Sequence, residues 1–496
     1  MRADRHPSHL WSSFSSVRIH SATVVVVGAV VFFIVTKIIN SAPRFSDGNF
    51  YIYIAYLITQ GSFPYRDFFY SSPPFIPYFF ALIGSLIGFS WQSFNLVPVG
   101  LTIIDVWVIY RLAAGAFSRL VALLTTVLYL FSFVVLHTTD FVSDIHLVVS
   151  LSLLATFSSL KRWPLLGGVL FGLAALTKVY AVVLFIPLLA FLFLTKQAAL
   201  ARRLVAGFTL IFGVVTIFFW WWQGDLYLHN VFLSHIGEVA VFSKKYIFQM
   251  FLRHDIVLAA GLPLLGLLQF WWYRQSTPSV GARAKSLLLI SMLILGSITT
   301  FLLLYKDIYF LYLKMAAPWL AFSWGATLEL LRARLTPRIF RGVTAVLLGM
   351  LMITFSWYYL HFAEQGVIAH LEDITAYVAQ VTEQAEPIYG EFYVTPLIAL
   401  ETGRPIFKNY VETAYKFFQF GIFDIPTRTS ELIAGHVKTI ITFGGLNPHN
   451  PQQLQLHQSS LLDANFYATY CRLGKIFPFN PYDRDSLVVI WRCHPS

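Results

Sequence analysis

The chain has 496 residues, of which 57% are hydrophobic, 17% aromatic and only 12% charged. A soluble globular chain carries about 25% charged and roughly 45–50% apolar residues, so an ordinary cytosolic enzyme, a disordered regulator and a repeat solenoid are excluded. A polytopic membrane protein remains. The formal charge of +11 comes from 35 Lys and Arg against 24 Asp and Glu. The arginines fall between apolar runs, which points to the anionic face of a bilayer and not to nucleic acid. Two cysteines, Cys471 and Cys493, exclude a disulfide scaffold and a cysteine-built metal cluster. No strand-linked GxGxxG and no GxxxxGK[ST] occurs, so no nucleotide cofactor is expected.

From the N-terminus, a tail over 1–21 carries Arg2, Arg5 and Arg18 and precedes an apolar run at 22–39. A cleaved signal peptide is the rival reading, because Asn40-Ser41-Ala42 faintly imitates a cleavage site. Pro43 argues against cleavage, and the run is longer than a signal core. The reading is an uncleaved first span with its N-terminus in the cytoplasm. Further runs cover 75–90, 95–114, 120–137, 145–160, 163–178, 179–195, 204–222, 256–273, 286–304, 309–328 and 342–361. If the Pro-rich run 73–88 lies in the interface or re-enters, eleven spans remain, to within one. Then Arg111 and Arg119, Lys161 and Arg162, Lys196, Arg202 and Arg203, Arg274, Arg283 and Lys285, and Arg332, Arg334, Arg338 and Arg341 all face the cytoplasm, as the positive-inside rule demands. If 73–88 crossed, every one of these clusters would face outward.

The transmembrane domain thus covers 22–362. From 363 to 496 the text changes to a helix at 366–384 and β-like runs at 387–394, 437–443, 466–476 and 486–493, punctuated by Gly, Pro and Asn. This predicts an all-α polytopic membrane domain followed by a small α/β domain, which an odd span count places outside the cytoplasm, at the plasma membrane.

That topology sorts the ionisable residues by face. The first outer loop holds Asp47, Arg66 and Asp67, and the second His137, Asp140, Asp144 and His146. A third holds His229, His235, Glu238, Lys244, Lys245, Arg253, His254 and Asp255, and a fourth Lys306 and Asp307. Lys178 sits near the outer end of its helix. Ionised groups at the membrane boundary are costly unless they pair or face water, so a set converging on one vestibule would suit chemistry on a lipid-borne anion. Each has a plainer alternative. Asp47 alone reads as a solvated loop residue or helix cap. Asp140 and Asp144, four apart, share a helix face with His137 three residues before; a divalent-metal site and ordinary interfacial polarity fit equally. Lys178 at the end of GLAALTK can snorkel to headgroups. The string Asp483-Arg484-Asp485 resembles a metal-holding DxD, yet after Asn480-Pro481-Tyr482 it reads as a turn.

In combination the residues say more. The text SDGNFYIYIAYLITQGSFPYRDFFYSSPPFIPYFFALIG resembles the first outer loop of the GT-C superfamily of integral-membrane glycosyltransferases. The match is nearest the branch of protein O-mannosyltransferases and lipid A aminoarabinose transferases. Its elements are Asp47, Tyr51 through Ala55, Gly61, Pro64-Tyr65-Arg66-Asp67 and Pro73-Pro74. The likeness continues through Asp140 or Asp144, a G-x-x-x-G-LA-x-x-TK helix from Gly168 to Lys178, and a Tyr312-to-Pro318 element. Two departures stand out. Gly48 occupies the place of a frequent second acid, and Ser71-Ser72 that of a frequent lysine before the double proline.

The resemblance implies an enzyme that moves a sugar from a polyprenyl-phosphate donor to an acceptor hydroxyl of a protein, lipid or glycan at the outer face, with inversion. Asp47 would be the catalytic base, and Arg66, Lys178, Lys306 and Tyr312 would hold the donor phosphate or substrate. His137, Asp140 and Asp144 would form a possible metal or second acidic site. The alternatives are a transporter or flippase, which calls for midplane charges and repeated halves, and a non-enzymatic scaffold. Accessibility tagging of the segment around Asp47 is expected to label it from outside the cell; labelling only from the cytosol would remove this aspartate from the mechanism.

Overall fold

The computed structural model describes residues 21–235, 242–260, 282–419, 421–447, 450–456, 462, 464–480 and 483–494. Its body is helical because long apolar runs can satisfy their backbone groups in lipid only within helices. Among the described residues four helices are long and apolar enough to cross a membrane: Trp91–Ala116, Ala198–Gln223, Arg283–Leu304 and Pro337–His361. Six shorter apolar helices accompany them, at Val24–Ile39, Phe75–Ile87, Arg119–Leu130, Asp144–Leu160, Pro164–Thr177 and Val179–Leu194. The first helix, α1 (Ser21–Ile39), leaves Val24, Val27, Val31, Val35 and Ile39 exposed while Phe33 and Lys37 are buried. The exposed stripe suits lipid contact and the buried one packs into the bundle.

Several runs are more broken than their hydropathy suggests. The run 120–137 divides into Arg119–Leu130 and Phe133–Thr138, with Ser132 extended between them. The run 309–328 begins as a 3-10 turn, Phe310–Met315, and becomes the α-helix Ala317–Arg334 with Pro318 in its first turn, where a missing N–H costs nothing. Of the run 256–273, Ile256–Ala259 is helical and the part from 261 lies outside the described residues. The interfacial candidate is helical as well: α2 (Gly48–Thr59) and α3 (Phe75–Ile87) pack together. With 13 residues, α3 is about 20 Å long, short of the roughly 30 Å hydrocarbon core.

Small residues set the closest helix crossing. Pro164–Thr177 lies between Asp144–Leu160 and Ala198–Phe208. A Cβ on Gly168 would run into the Leu204 carbonyl, and one on Gly207 into the Leu165 carbonyl. Glycine here lets two backbones approach where lipid offers no hydrophobic drive.

The C-terminal part carries a five-stranded sheet: β1 (Ile388–Gly390), β2 (Thr439–Asn447), β3 (Asn450–Leu456), β4 (Cys471–Asn480) and β5 (Asp483–Cys493). The order is β1-β2-β5-β4, with β1 parallel to β2, β5 antiparallel to both its neighbours, and β3 a hairpin on β2. Its two faces enter different cores, as strand alternation requires. Ile441, Val488 and Ile490 join Ile54, Phe50 and Phe80 of α2 and α3, whereas Ile440, Leu432, Phe466 and Cys493 form a second cluster. The sheet and the first loop therefore share one core. Cys471 and Cys493 face each other across β4 and β5 and are bridged.

Three expectations for the elements of this region need correction. Strand 387–394 stops at Gly390 and is followed by the helix Thr395–Thr402. The supposed strand 466–476 starts with the helix Ala464–Tyr470, whose Phe466 and Tyr470 stand one helical turn apart. The helix expected at 366–384 begins only at Leu371, after His370 in the left-handed conformation. Strand β3 and the helix Ile425–Ala434, capped by Asp424 accepting from Thr427 N at 2.8 Å, have no counterpart among the predicted elements. The string Asp483-Arg484-Asp485, expected as a turn before the last strand, lies within β5 itself, where Asp483 pairs with Asn480.

Gly207→Leu is expected to push the two helices apart and cost about 1–3 kcal/mol. Thermal unfolding in detergent checks this, and an unchanged unfolding temperature would refute the close crossing.

Candidate active site

The site begins where α1 hands over to α2. Between them Arg44 donates to the carbonyls of Gln365, at 2.7 Å, and of Ala363. Asn49 donates to the Arg44 carbonyl at 2.7 Å and to the Tyr393 carbonyl at 2.5 Å. These bonds fix the loop against the C-terminal part and leave Asp47 at the start of α2, its carboxylate making no cap bond. Next to it, a Cβ on Gly48 would run into Val142, which explains why a second acid has no room there. Burial pushes the Asp47 carboxyl up to about 6, with Asp144 adding to the rise and Lys178 and Lys416 opposing it.

Asp144 opens the helix Asp144–Leu160. Its Oδ2 accepts from Tyr51 OH at 3.0 Å and faces Lys178 Nζ at 3.2 Å, and Ser143 donates to Oδ1 at 3.2 Å. Lys178 caps the C-terminal end of Pro164–Thr177 with an extended backbone, so its side chain leaves the helix axis and also donates to Ser72 Oγ at 2.6 Å. The segment Pro64-Tyr65-Arg66-Asp67 shapes the loop around Ser72. Tyr65 adopts a positive φ of 70°, Phe63 N donates to Asp67 Oδ2 at 2.7 Å, and Tyr65 OH donates to the Ser72 carbonyl at 2.6 Å. The motif works as a turn that aims this loop.

From the other side, buried Glu412 of the C-terminal part accepts from Ser71 N at 3.0 Å and Ser71 Oγ at 2.5 Å. Burial pushes its carboxyl up, against the two Ser71 bonds and the charges of Lys416 and Lys178. A cavity of about 290 Å³ opens here, and Ser72, Lys178 and Lys416 are among the residues that line it. Tyr180, Tyr305, Tyr309 and Tyr312 also line it, together with Asp307, which accepts from Tyr309 OH at 2.9 Å. Val231 and Phe232 add an apolar margin.

Of the sequence candidates, Asp47, Asp144, Lys178 and Tyr312 gather at this cavity or within electrostatic reach of it. The others do not. Arg66 is half-exposed over the Phe63 ring and holds Asp67 with two bonds, at 2.9 and 2.8 Å. Lys306 is exposed and outside the cavity lining. Asp140 is held by Lys37 at 2.6 Å and Arg44 at 3.5 Å, and His137 packs among Phe133, Phe141, Phe310 and Tyr358. A divalent ion on His137, Asp140 and Asp144 does not fit these residues, since each carboxylate already has its own cation and the ring sits in an aromatic cage. Among the described residues no cluster of three or more metal-type side chains is placed to hold an ion. In the third loop Glu238 lies outside the described residues. There Lys244 donates to the Leu303 carbonyl, and Asp255 accepts from Val134 N at 2.9 Å.

Sequence reasoning missed Glu412, Lys416 and a buried polar cluster inside the bundle. In that cluster Asp105 accepts from Tyr129 OH and Ser150 Oγ, both at 2.6 Å, while Lys314 bonds Thr102 and His146. The signal for the last was present: an Asp in TIIDVW and a Lys in LYLKM inside apolar runs are costly without partners.

Comparison with known proteins agrees with this architecture. A family model described as dolichyl-phosphate-mannose-protein mannosyltransferase matches residues 71–222. ArnT from Cupriavidus metallidurans, solved with undecaprenyl phosphate, superposes with a TM-score of 0.65 at 14% identity, covering 95% of this chain and 98% of that one. The chain has the GT-C glycosyltransferase fold. The archaeal oligosaccharyltransferase AglB from Archaeoglobus fulgidus, in complex with an inhibitory peptide and a dolichol-phosphate, gives a TM-score of 0.53 at 12% identity over 88% of this chain and 74% of that one. The arabinofuranosyltransferase AftD from Mycobacteria gives 0.51 at 14% identity over 97% and 42%. No curated protein matches in sequence. The apolar helices make the body an integral membrane one, and Lys178 from the bundle and Lys416 from the C-terminal part line one cavity.

Removing one partner of the Asp144–Lys178 pair leaves the other charge mostly buried. Lys178→Met is expected to lower unfolding stability by about 3 kcal/mol, and adding Asp144→Asn to recover part of it. A double-mutant cycle in thermal unfolding checks the coupling; additive losses would deny it.

Proposed function

We propose that the protein is an inverting glycosyltransferase that moves a sugar from a polyprenyl-phosphate donor to an acceptor hydroxyl at the outer membrane face. The observation that carries this reading is a cavity lined by two lysines, Lys178 and Lys416, with the carboxylate of Asp47 within their electrostatic reach. The lipid phosphates bound by ArnT and AglB support the donor class. In the reaction the acceptor oxygen bonds to the anomeric carbon as the bond from that carbon to the phosphate oxygen breaks. The acceptor proton passes to Asp47, and polyprenyl phosphate leaves with the bonding electrons, its charge met by Lys178. Attack opposite the leaving group inverts the centre.

In this reading 22–362 is the catalytic membrane domain and 363–496 an outer domain that caps the vestibule. The N-terminus is cytoplasmic, the membrane is the plasma membrane, and the acceptor is a protein, lipid or glycan hydroxyl. A transporter would draw on Asp105, Lys314 and His146 inside the bundle, but Asp105 is held by Tyr129 and Ser150, Lys314 by Thr102 and His146, and none of the three lines the cavity.

Purified protein incubated with labelled polyprenyl-phosphate sugars and cell envelope is expected to label an acceptor. Asp47→Asn should slow transfer by about 10²–10⁴-fold at unchanged expression. Because the base must be ionised and its carboxyl is raised to about 6, the wild-type rate should climb as pH rises through that value and fall below it. A wild-type rate in Asp47→Asn, or a flat profile from pH 5 to 7, would exclude Asp47 as the base.

A further inference from the structure

The departure at Ser71-Ser72 removes a cation from the loop that borders the cavity, and the fold shows what stands there instead. Lys178 reaches Ser72 Oγ at 2.6 Å from the membrane helices. Ser71 is taken from the opposite side by Glu412, through both its N–H and its hydroxyl. Four residues beyond Glu412, Lys416 lines the same cavity as Ser72 and Lys178. Two ammonium groups thus flank one space, one carried by the bundle and one by the C-terminal part. A phosphate has oxygens enough for both, and paired charge-assisted bonds are the strong kind. Lys178 also meets Asp144 at 3.2 Å, and Glu412 is engaged by Ser71.

We infer that Lys416 is a second ligand of the donor phosphate, standing in for the cation absent from Ser71-Ser72, and that the phosphate site is complete only while the C-terminal part is seated on the loop through Glu412 and Ser71. This rests on the transferase reading and adds to it a phosphate contact from outside the membrane body. A lysine at position 71 would displace the hydroxyl that Glu412 holds, so the two small serines and the remote lysine form one solution. The donor is gripped from both sides of the seam between the bundle and the C-terminal part.

The test is direct binding of undecaprenyl phosphate to the full chain in lipid nanodiscs, with undecaprenol as the phosphate-free control. Wild type is expected to prefer the phosphate. Lys416→Ala should weaken that binding about tenfold or more, as expected for one lost charge-assisted bond, without changing affinity for the alcohol. Lys416→Arg should restore most of it. Glu412→Ala should weaken phosphate binding although both lysines remain, and Lys408→Ala, exposed on the same part of the chain, should leave it unchanged. Unfolding temperatures confirm that each variant is folded, and Lys416→Gln serves if the alanine variant is not. Wild-type affinity in folded Lys416→Ala or Lys416→Gln overturns the inference and leaves the transferase reading standing; wild-type affinity in Glu412→Ala overturns the seating requirement. A wild-type protein with no preference for phosphate over alcohol overturns the transferase reading and the inference together.

Discussion

The candidate site depends on one charge that cannot be left alone. Asp144 sits at the head of a helix, nearly out of reach of solvent, and its carboxylate is tolerable only because Lys178 and Tyr51 meet it. A buried ion pair contributes little net stability, but breaking it is expensive, so each partner fixes the other in space. Lys178 comes from the neighbouring helix, Tyr51 from α2, and Lys178 in turn holds Ser72. Four separate stretches of chain are thereby brought to one point. The same rule, applied to Asp140 with Lys37 and Arg44, holds the exit of the first helix and frees Asp47 from structural duty.

The second organising feature is the shared core beneath α2. One face of the sheet packs with Phe50, Ile54 and Phe80, so the C-terminal part is bonded to the first loop by burial as well as by Asn49, Tyr53 and Glu412. A region that looks detachable by composition is in fact one wall of the cavity. That explains how residues more than three hundred positions apart in the chain, such as Ser71 and Glu412, come to exchange two hydrogen bonds.

Likeness to ArnT over 95% of the chain at 14% identity shows how loosely this architecture constrains its side chains. Function therefore has to be argued from the site and not from the fold. At Ser71-Ser72, where the resemblance leads to the expectation of a lysine, charge is brought near by Lys178 from a separate helix.

Composition and hydropathy alone determined that the chain is a helical membrane protein with a small α/β region at its end, because apolar runs of spanning length have few other stable states. The order of motifs from Asp47 to Pro318 was enough to suggest the fold and to select Asp47, Asp144, Lys178 and Tyr312. Only the tertiary structure decided which charges are structural and which face the cavity. Asp140 and Asp144 are four residues apart in the text, yet a break before the second puts them against different cations. Arg66 and Lys306 have the right chemistry and point elsewhere. Glu412 and Lys416 carried no local signal, because an acid and a lysine in a soluble-looking segment are ordinary until packing brings them to a particular neighbour. The physical reason is the same throughout. Hydrophobic periodicity acts over a few residues and is written locally, whereas the pairing of a charge is a long-range contact that exists only once the chain has closed.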